Sequence, residues 1–420
     1  MIQTIRGFRD ILPEEAPLWQ RIETIAADIF RNFGFQEIRI PIMEKTELFA
    51  RSIGEATDIV EKEMYTFPDR KGDKLTLRPE ATASIVRSYI QHKMYAADPV
   101  RKFYTVGPMF RRERPQKGRY RQFYQIDAEV FGIASPYIDA QLIQILNELF
   151  QRLGLSGLKA HINSLGCPEC RPNFQKALLD FLSARKEALC DNCIRRMEKN
   201  PLRTLDCKVP TCRQALEGAP TTLDHLCPDC STHFDTVQST LKAQNVDFIV
   251  DNTLVRGLDY YSRTAFEILT TALGAQSAVA GGGRYDALVQ ELGGPQIPAI
   301  GFAIGFDRLV HIVEQLDQQK GNEGPDLFLL ALGDKAMENC HIWSSQLNLS
   351  GFRTEMDYSG KSLKSLMKRA GKRNARNVLI VGDAEMEANA LVLRNMEART
   401  QTTISLDDPV GEIKKLISNI

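Results

Sequence analysis

The chain has no surplus of either charge: its 420 residues carry 53 Lys and Arg against 53 Asp and Glu. With 43% hydrophobic and 25% charged residues, it cannot be a disordered chain, a collagen-like fibre or a supercharged nucleic-acid arm. It has no stretch of about 18 apolar residues, so no membrane-spanning helix is expected. The start, MIQTIRGFRDILPEE, carries charges throughout and has no apolar run of the ~7–15 residues that a secretory signal needs. The Walker A pattern, a GxGxxG opening a helix after a strand, and HExxH are all missing, which excludes the common nucleotide and zinc-protease signatures. No internal repeat is found. These absences point to a cytosolic protein with reduced thiols, in which any phosphate site is built from Arg and Gly.

The length exceeds the ~250–300 residues at which single cores stop growing, so two or more domains are expected. Pro13 opens a first helix whose Leu18, Ile22, Ile25, Ile29 and Phe33 form one apolar stripe, and Gly34 ends it. A strand from Glu37 to Ile42, broken by Pro41, follows. Thr76 to Arg78 reads as a strand, with Pro79 at the first position of a helix. Residues 102–131 read as a long hairpin. Tyr104, Val106 and Phe110 lie on one face of its first arm, with Thr105, Met109 and Arg111 on the other. Its second arm alternates Tyr124, Ile126, Ala128 and Val130 with Phe123, Gln125, Asp127 and Glu129. On pattern alone, the polar face of that arm could simply be solvated. Residues 137–153 are helical, 250–310 have strand and glycine character, and 318–325 form a linker. Beyond it, DLFLLAL and NVLIVG read as buried strands alternating with helices, a small parallel or mixed sheet.

The zero net charge hides local runs. Residues 101–121 hold eight basic residues against one acid, and 361–376 hold seven against none. Two basic segments in separate domains fit a polyanion held at two places. The phosphate candidates are Arg111, Arg119, Arg256 and Arg308, with the glycine runs 280–286 and 299–309 allowing close approach.

Eight of the nine cysteines fall in pairs inside residues 167–230: Cys167/Cys170, Cys190/Cys193, Cys207/Cys212 and Cys227/Cys230. Three pairs are CxxC, which presents two sulfurs from one tight turn and is a strong structural-zinc signal. Eight thiols suffice for one or two Cys₄ sites, grouped sequentially or interleaved. His161, His225 and His233 are near enough in sequence to substitute. A redox role and surplus free thiols are the other readings. Cys340 stands alone and reads as a buried core residue.

RGFRDILPEE, TLRPEATASIVR (76–87), FYTVGPMFRRERPQKGRYRQFYQIDAEVFG (103–132), RGLDYYSRTAFEI (256–268), GGGRYDALVQELGG (281–294) and AIGFAIGFDRLV (299–310) resemble the histidyl-tRNA synthetases, which are class II aminoacyl-tRNA synthetases. The resemblance runs through nearly the whole chain and is weakest in 167–240. It implies an α+β catalytic domain on an antiparallel sheet (1–320), interrupted by a mostly helical Cys-rich insertion (167–240). A small α/β anticodon-binding domain (326–420) would follow. It also implies a cytoplasmic homodimer, formed through the first helix and the strand ending at Pro41, that uses ATP with Mg to make histidyl-adenylate and then charges its tRNA.

Carried onto this sequence, Arg111 would hold the α-phosphate and Arg256 would face it from the other side. Arg119 and Arg308 would hold the outer phosphates, Phe123 would stack on adenine, and Glu113 would join the ATP site. Glu80, Thr82 and Gln125 would take the α-amino group. Glu129 and Tyr261 would read the imidazole, with Tyr260 beside them. Arg114, Gln116 and Lys117 would meet the acceptor end of the tRNA, and the basic helix 361–376 would meet the anticodon region. Ala81 and Arg112 depart from the family's commoner Gly and His without removing a group the chemistry needs. Two other readings compete: a non-catalytic synthetase-like regulatory subunit of ATP phosphoribosyltransferase, and a zinc-containing RNA-binding module.

Overall fold

The computed structural model describes residues 2–54, 57, 59–114, 119–270, 277–316 and 324–417. The chain divides into two compact units, Met1–Gln318 and Gln319–Ile420. Most of the expected linker 318–325 lies outside the described residues, as do Gln116 and Lys117.

The first unit is built on an eight-stranded sheet. Its strands run in the order Gln36–Glu37, Arg101–Phe110, Gln122–Phe131, Ala299–Gly305, Ser277–Arg284, Ser262–Thr270, Lys159–Ser164 and Phe248–Val250. The inner pairings are antiparallel and the two short edge strands are parallel to their neighbours. Helices Ala16–Asn32, Pro136–Arg152, Pro228–Ala243 and Phe306–Leu316 cover one face. Trp19, Ile22 and Phe30 meet Ile126, Ala128 and Val130 there in the main core, together with Phe234 and Phe306. The opposite face of the 122–131 strand is not solvated. Gln125, Asp127 and Glu129 are only 9%, 1% and 1% exposed, and burying three such side chains calls for partners or a ligand.

Several local expectations are corrected. The first helix starts at Ala16 with Pro17 in its first turn, where a missing N–H costs nothing; Pro13 lies in the preceding turn. The observed strand is Gln36–Glu37, so of the expected 37–42 strand only Glu37 lies in the ladder, with the Ile38 N–H still donating to the Tyr104 carbonyl at 2.8 Å. Beyond it the chain lacks a donor at Pro41, and the Arg78 guanidinium donates to the Ile40 carbonyl at 2.9 Å in place of a ladder partner. The strand before the 82–91 helix runs Lys74–Leu77. That helix begins at Thr82, after Pro79. Its end is capped by the Glu80 carboxylate, which accepts from the backbone N–H of Thr82 (2.9 Å) and Ala83 (2.8 Å).

The insertion is mostly helical, with Arg171–Ser183, Asp191–Lys199, Pro210–Ala215 and Pro228–Ala243. It has a small core of its own around Phe174, Leu178, Leu182, Met197 and Leu202.

The second unit is a five-stranded mixed sheet, ordered Thr354–Met356, Leu327–Leu332, Asn377–Gly382, Ala390–Asn395 and Gln401–Ser405. Its first three strands are parallel and the rest antiparallel. Alternation along Leu327–Leu332 serves both faces. Leu327, Leu329 and Ala331 pack under helices Asp334–Leu349 and Pro409–Ile417, while Phe328 and Leu330 pack under helix Leu363–Lys372. Cys340 is fully buried in the first of these layers, and burial pushes its thiol up to about 12.

Candidate active site and cysteine clusters

The register of the central strands sets the floor of the site. Glu129 lies opposite Phe103 and Gly301, Asp127 opposite Thr105 and Ala303, and Gln125 opposite Gly107 and Gly305. Gly281 continues the Asp127 row beyond Ala303 and meets Glu267 on the next strand. Two glycines are required by close approach. A Cβ at Gly301 would sit 1.5 Å from Glu129 Oε2, and one at Gly281 would sit 2.6 Å from an Arg256 nitrogen.

On this floor the Thr82 hydroxyl donates to Glu129 Oε1 at 2.6 Å, and the Tyr285 hydroxyl donates to Glu129 Oε2. Burial pushes the Glu129 carboxyl up to about 8 against those two hydrogen bonds. Asp127 is raised well above the usual carboxylate range, first by burial and then by Glu129 and Glu80; Arg78 and Arg111 oppose the shift. Burial raises Glu80 too, against its capping bonds. Among the described residues, Gln125 Oε1 and Asp127 Oδ2 are buried without a partner. Glu80 and Glu129 are thus each met by two donors, while Asp127 and Gln125 beside them keep an oxygen to offer, which suits a cation carrying several N–H groups.

An aromatic wall closes the pocket. Tyr260 lies 4.6 Å from Tyr261 and 5.6 Å from Tyr285, ring centre to ring centre. Arg256 stands over Tyr261 at 5.3 Å and is ion-paired with Glu267. Arg111 donates to the Pro79 carbonyl at 2.9 Å and lies 5.3 Å over Phe123. Arg308 donates to the Ala278 carbonyl, and its pKa is lowered by burial and by neighbouring Arg119. Arg119 pairs with Glu113 at 3.4 Å. Arg111 and Arg308 make no ion pair among the described residues.

The sequence reading missed Tyr285, the counter-ion Glu267, and Asp127 as a member of the site. Alternation already put Asp127 on the correct face. Tyr285 and Glu267 gave no signal beyond lying within quoted motifs.

The eight paired cysteines form two sets, Cys167/Cys170/Cys227/Cys230 and Cys190/Cys193/Cys207/Cys212, with all Sγ atoms of a set within 4.8 Å of one another. The grouping is neither of the two expected, sequential or interleaved, but nested: the outer pairs join and the inner pairs join. Sulfur separations of 3.6, 3.8 and 3.9 Å match the ~3.8 Å edge of a tetrahedron with metal–sulfur bonds near 2.3 Å. They are far too long for disulfides, and all nine cysteines are free thiols. Backbone donation from Cys193 leads the effects that bring Cys190 down to about 7. None of the three histidines joins a set. His161 and His233 are engaged by Asp251 (3.0 Å) and Asp139 (2.8 Å), and His225 packs near the Phe174 ring.

In the second unit, all seven basic side chains of residues 361–376 are exposed. Arg369, Arg373 and Arg376 pair with Asp357, Glu355 and Asp326. Lys364, Lys368 and Lys372, spaced along one helical face, and Lys361 just before that helix make no ion pair among the described residues.

Residues 7–309 match the family described as "Histidyl-tRNA synthetase", and residues 326–416 match the "Anticodon binding domain". The "Histidine--tRNA ligase" of Desulforapulum autotrophicum is 71% identical, covering 100% of this chain and 99% of its own. That of Desulfosudis oleivorans is 58% identical with the same coverage. The solved apo histidyl-tRNA synthetase of S. aureus is 34% identical with a TM-score of 0.84, covering 99% of this chain and 100% of its own. An antiparallel sheet with these motifs on its polar face, joined to a domain of the anticodon-binding type, is the class II synthetase architecture. The chain belongs to the histidyl-tRNA synthetase family.

Proposed function

We propose that this chain is a histidine–tRNA ligase. It activates histidine with ATP to histidyl-adenylate and passes histidine to the 3′ end of its tRNA. The observation that carries this reading is the buried polar group of Glu80, Gln125, Asp127 and Glu129, in which Gln125 and Asp127 each keep an oxygen without a partner among the described residues, set among Arg111 and Arg256. The α-ammonium brings three N–H groups to Glu80, Thr82 and Gln125. The imidazole brings ring nitrogens to Glu129 and Tyr261, with Tyr260 alongside. Larger apolar amino acids would leave these groups unpaired.

The attacking histidine carboxylate and the α-phosphate are both anionic. Fixed cations are needed more than a base. Arg111 and Arg256 serve the α-phosphate, where an oxygen–phosphorus bond forms as diphosphate leaves. Arg119 and Arg308, with Glu113 pairing Arg119, serve the outer phosphates, and Phe123 takes adenine. Mg accompanies ATP. Arg114 and its loop meet the acceptor end, and the lysine stripe meets the anticodon region. The catalytic domain spans 1–320 with the insertion at 167–240, and 326–420 forms the anticodon-binding domain. Each Cys₄ set suits a structural zinc. The protein works as a cytoplasmic homodimer, and exposed Ile42, Met43 and Phe67 near the expected dimer motif suit a partner.

The regulatory-subunit reading is weaker because Arg111, Arg256 and Arg308 are all kept and residues 326–416 match an anticodon domain. ATP–pyrophosphate exchange across the standard amino acids tests the proposal. Exchange with histidine alone is expected. Exchange with none, or with another amino acid, would refute it.

A further inference from the structure

The segment Val255–Tyr261 carries Arg256, Tyr260 and Tyr261, yet it belongs to no helix or strand. A loop that must hold three side chains in register needs support from outside, and much of this support comes from the insertion. Arg203 donates to the Gly257 carbonyl at 2.8 Å. The Asn200 amide donates to Asp259 Oδ1 at 2.9 Å. Arg171 donates to the carbonyls of Tyr261 and of Leu165. Val255 packs against both the insertion's small core and the cluster beneath the site.

These three side chains are distributed between the cysteine sets. Arg171 directly follows Cys170 of the outer set. Asn200 and Arg203 lie between Cys193 and Cys207 of the inner set. Arg203 is also tied to helix Asp191–Lys199, through Arg196 donating to its carbonyl at 3.1 Å.

We infer that the two Cys₄ sets, each holding one zinc ion, are positioning devices for the loop Val255–Tyr261. The outer set fixes the Tyr261 end through Arg171, and the inner set fixes Gly257 and Asp259 through Arg203 and Asn200. This rests on the histidine–tRNA ligase reading and adds that metal occupancy governs histidine recognition. Without the inner ion, the segment between Cys193 and Cys207 loses its staple and the loop loses two of its anchors. The outer phosphate ligands, Arg119 and Arg308, are untouched.

The test uses full-length protein in histidine-dependent ATP–pyrophosphate exchange, with zinc content measured by mass spectrometry. Arg203→Met with Asn200→Ala should keep wild-type zinc. Its KM for histidine should rise by about 10- to 100-fold and kcat should fall, because Arg256 rides on the same loop, with KM for ATP within about twofold because Arg119 and Arg308 keep the outer phosphates. Arg203→Lys should restore part of the loss, since a cation can still reach the carbonyl. Cys193→Ser should lose one zinc and show the same defect. An unchanged histidine KM in the Asn200/Arg203 double variant would overturn the inference even if Cys193→Ser fails to fold. So would a Cys193→Ser protein that has lost one zinc but recognises histidine normally. Wild-type protein that fails to exchange with histidine would refute the activity reading itself, and this inference with it. Normal wild-type exchange beside unaffected variants would refute only the positioning role.

Discussion

On the polar face of the large sheet, Gln125 and Asp127 each bury an oxygen without a partner among the described residues, whereas in the insertion every paired cysteine has three sulfurs within 4.8 Å. Both regions bring ionisable groups together away from water. The first leaves them short of donors and pushes its carboxyls upward, the signature of a place kept ready for a visitor. The second surrounds a point from four sides and leaves no open position, an arrangement that suits a resident ion. Burial of chemistry-bearing side chains is therefore not one signal. The count of unmet hydrogen-bonding positions separates a substrate site from a staple.

The sharpest way to break this contrast is to empty the closed site. Chelation should strip up to two zinc ions and release the insertion to proteolysis while the eight-stranded sheet persists. Less than about half an equivalent of tightly held metal in protein purified without chelator would contradict a closed site. Arg256→Ala should lower adenylation by about 10²–10³-fold with far-ultraviolet circular dichroism unchanged. A near-normal exchange rate would remove the role given to Arg256. Glu129→Gln should weaken histidine recognition by about 10- to 100-fold, the loss expected for a charge-assisted hydrogen bond. An unchanged KM for histidine would count against it.

The same variant has a pH signature. Folding raises the Glu129 carboxyl to about 8 from an unfolded value of about 4.3. Proton uptake by the empty folded protein therefore adds stability that is full below about 4.3 and lost as pH rises through the folded value. Glu129→Gln should flatten that part of the fall in Tm, read by calorimetry without histidine. The smallest effect belongs to the second unit. Replacing Lys364 and Lys368 with Gln should raise KM for tRNA by several-fold at low salt, with a smaller difference at high salt, and leave histidine-dependent exchange unchanged.

Much of the site was legible because a strand has a period of two. Gln125, Asp127 and Glu129 had to share a face, and their burial then followed from what lay above them. The Cys pairs were legible as metal spacing, but their nesting was not, because CxxC geometry is local and grouping depends on how four helices pack. Histidines close in sequence were poor guides: Asp139 and Asp251 claimed two of them from elsewhere in the chain. The 37–42 strand failed for a related reason. Its carbonyls found an Arg78 side chain distant in sequence, which no local pattern records. Likewise, Glu80 could be assigned to substrate from its motif, while its service as a helix cap needed the turn itself.

The nested cysteine sets behave like brackets in a line of text. The inner sulfurs of Cys190 and Cys207 are 17 residues apart, and the outer sulfurs of Cys167 and Cys227 are 60 apart. Closing the longer span from an open chain costs about 1 kcal/mol more in chain entropy. Once the inner bracket is shut, the span left for the outer one shortens and part of that difference disappears. Assembly from the inside outward also follows the order in which a ribosome delivers the residues: Cys212 emerges before Cys227.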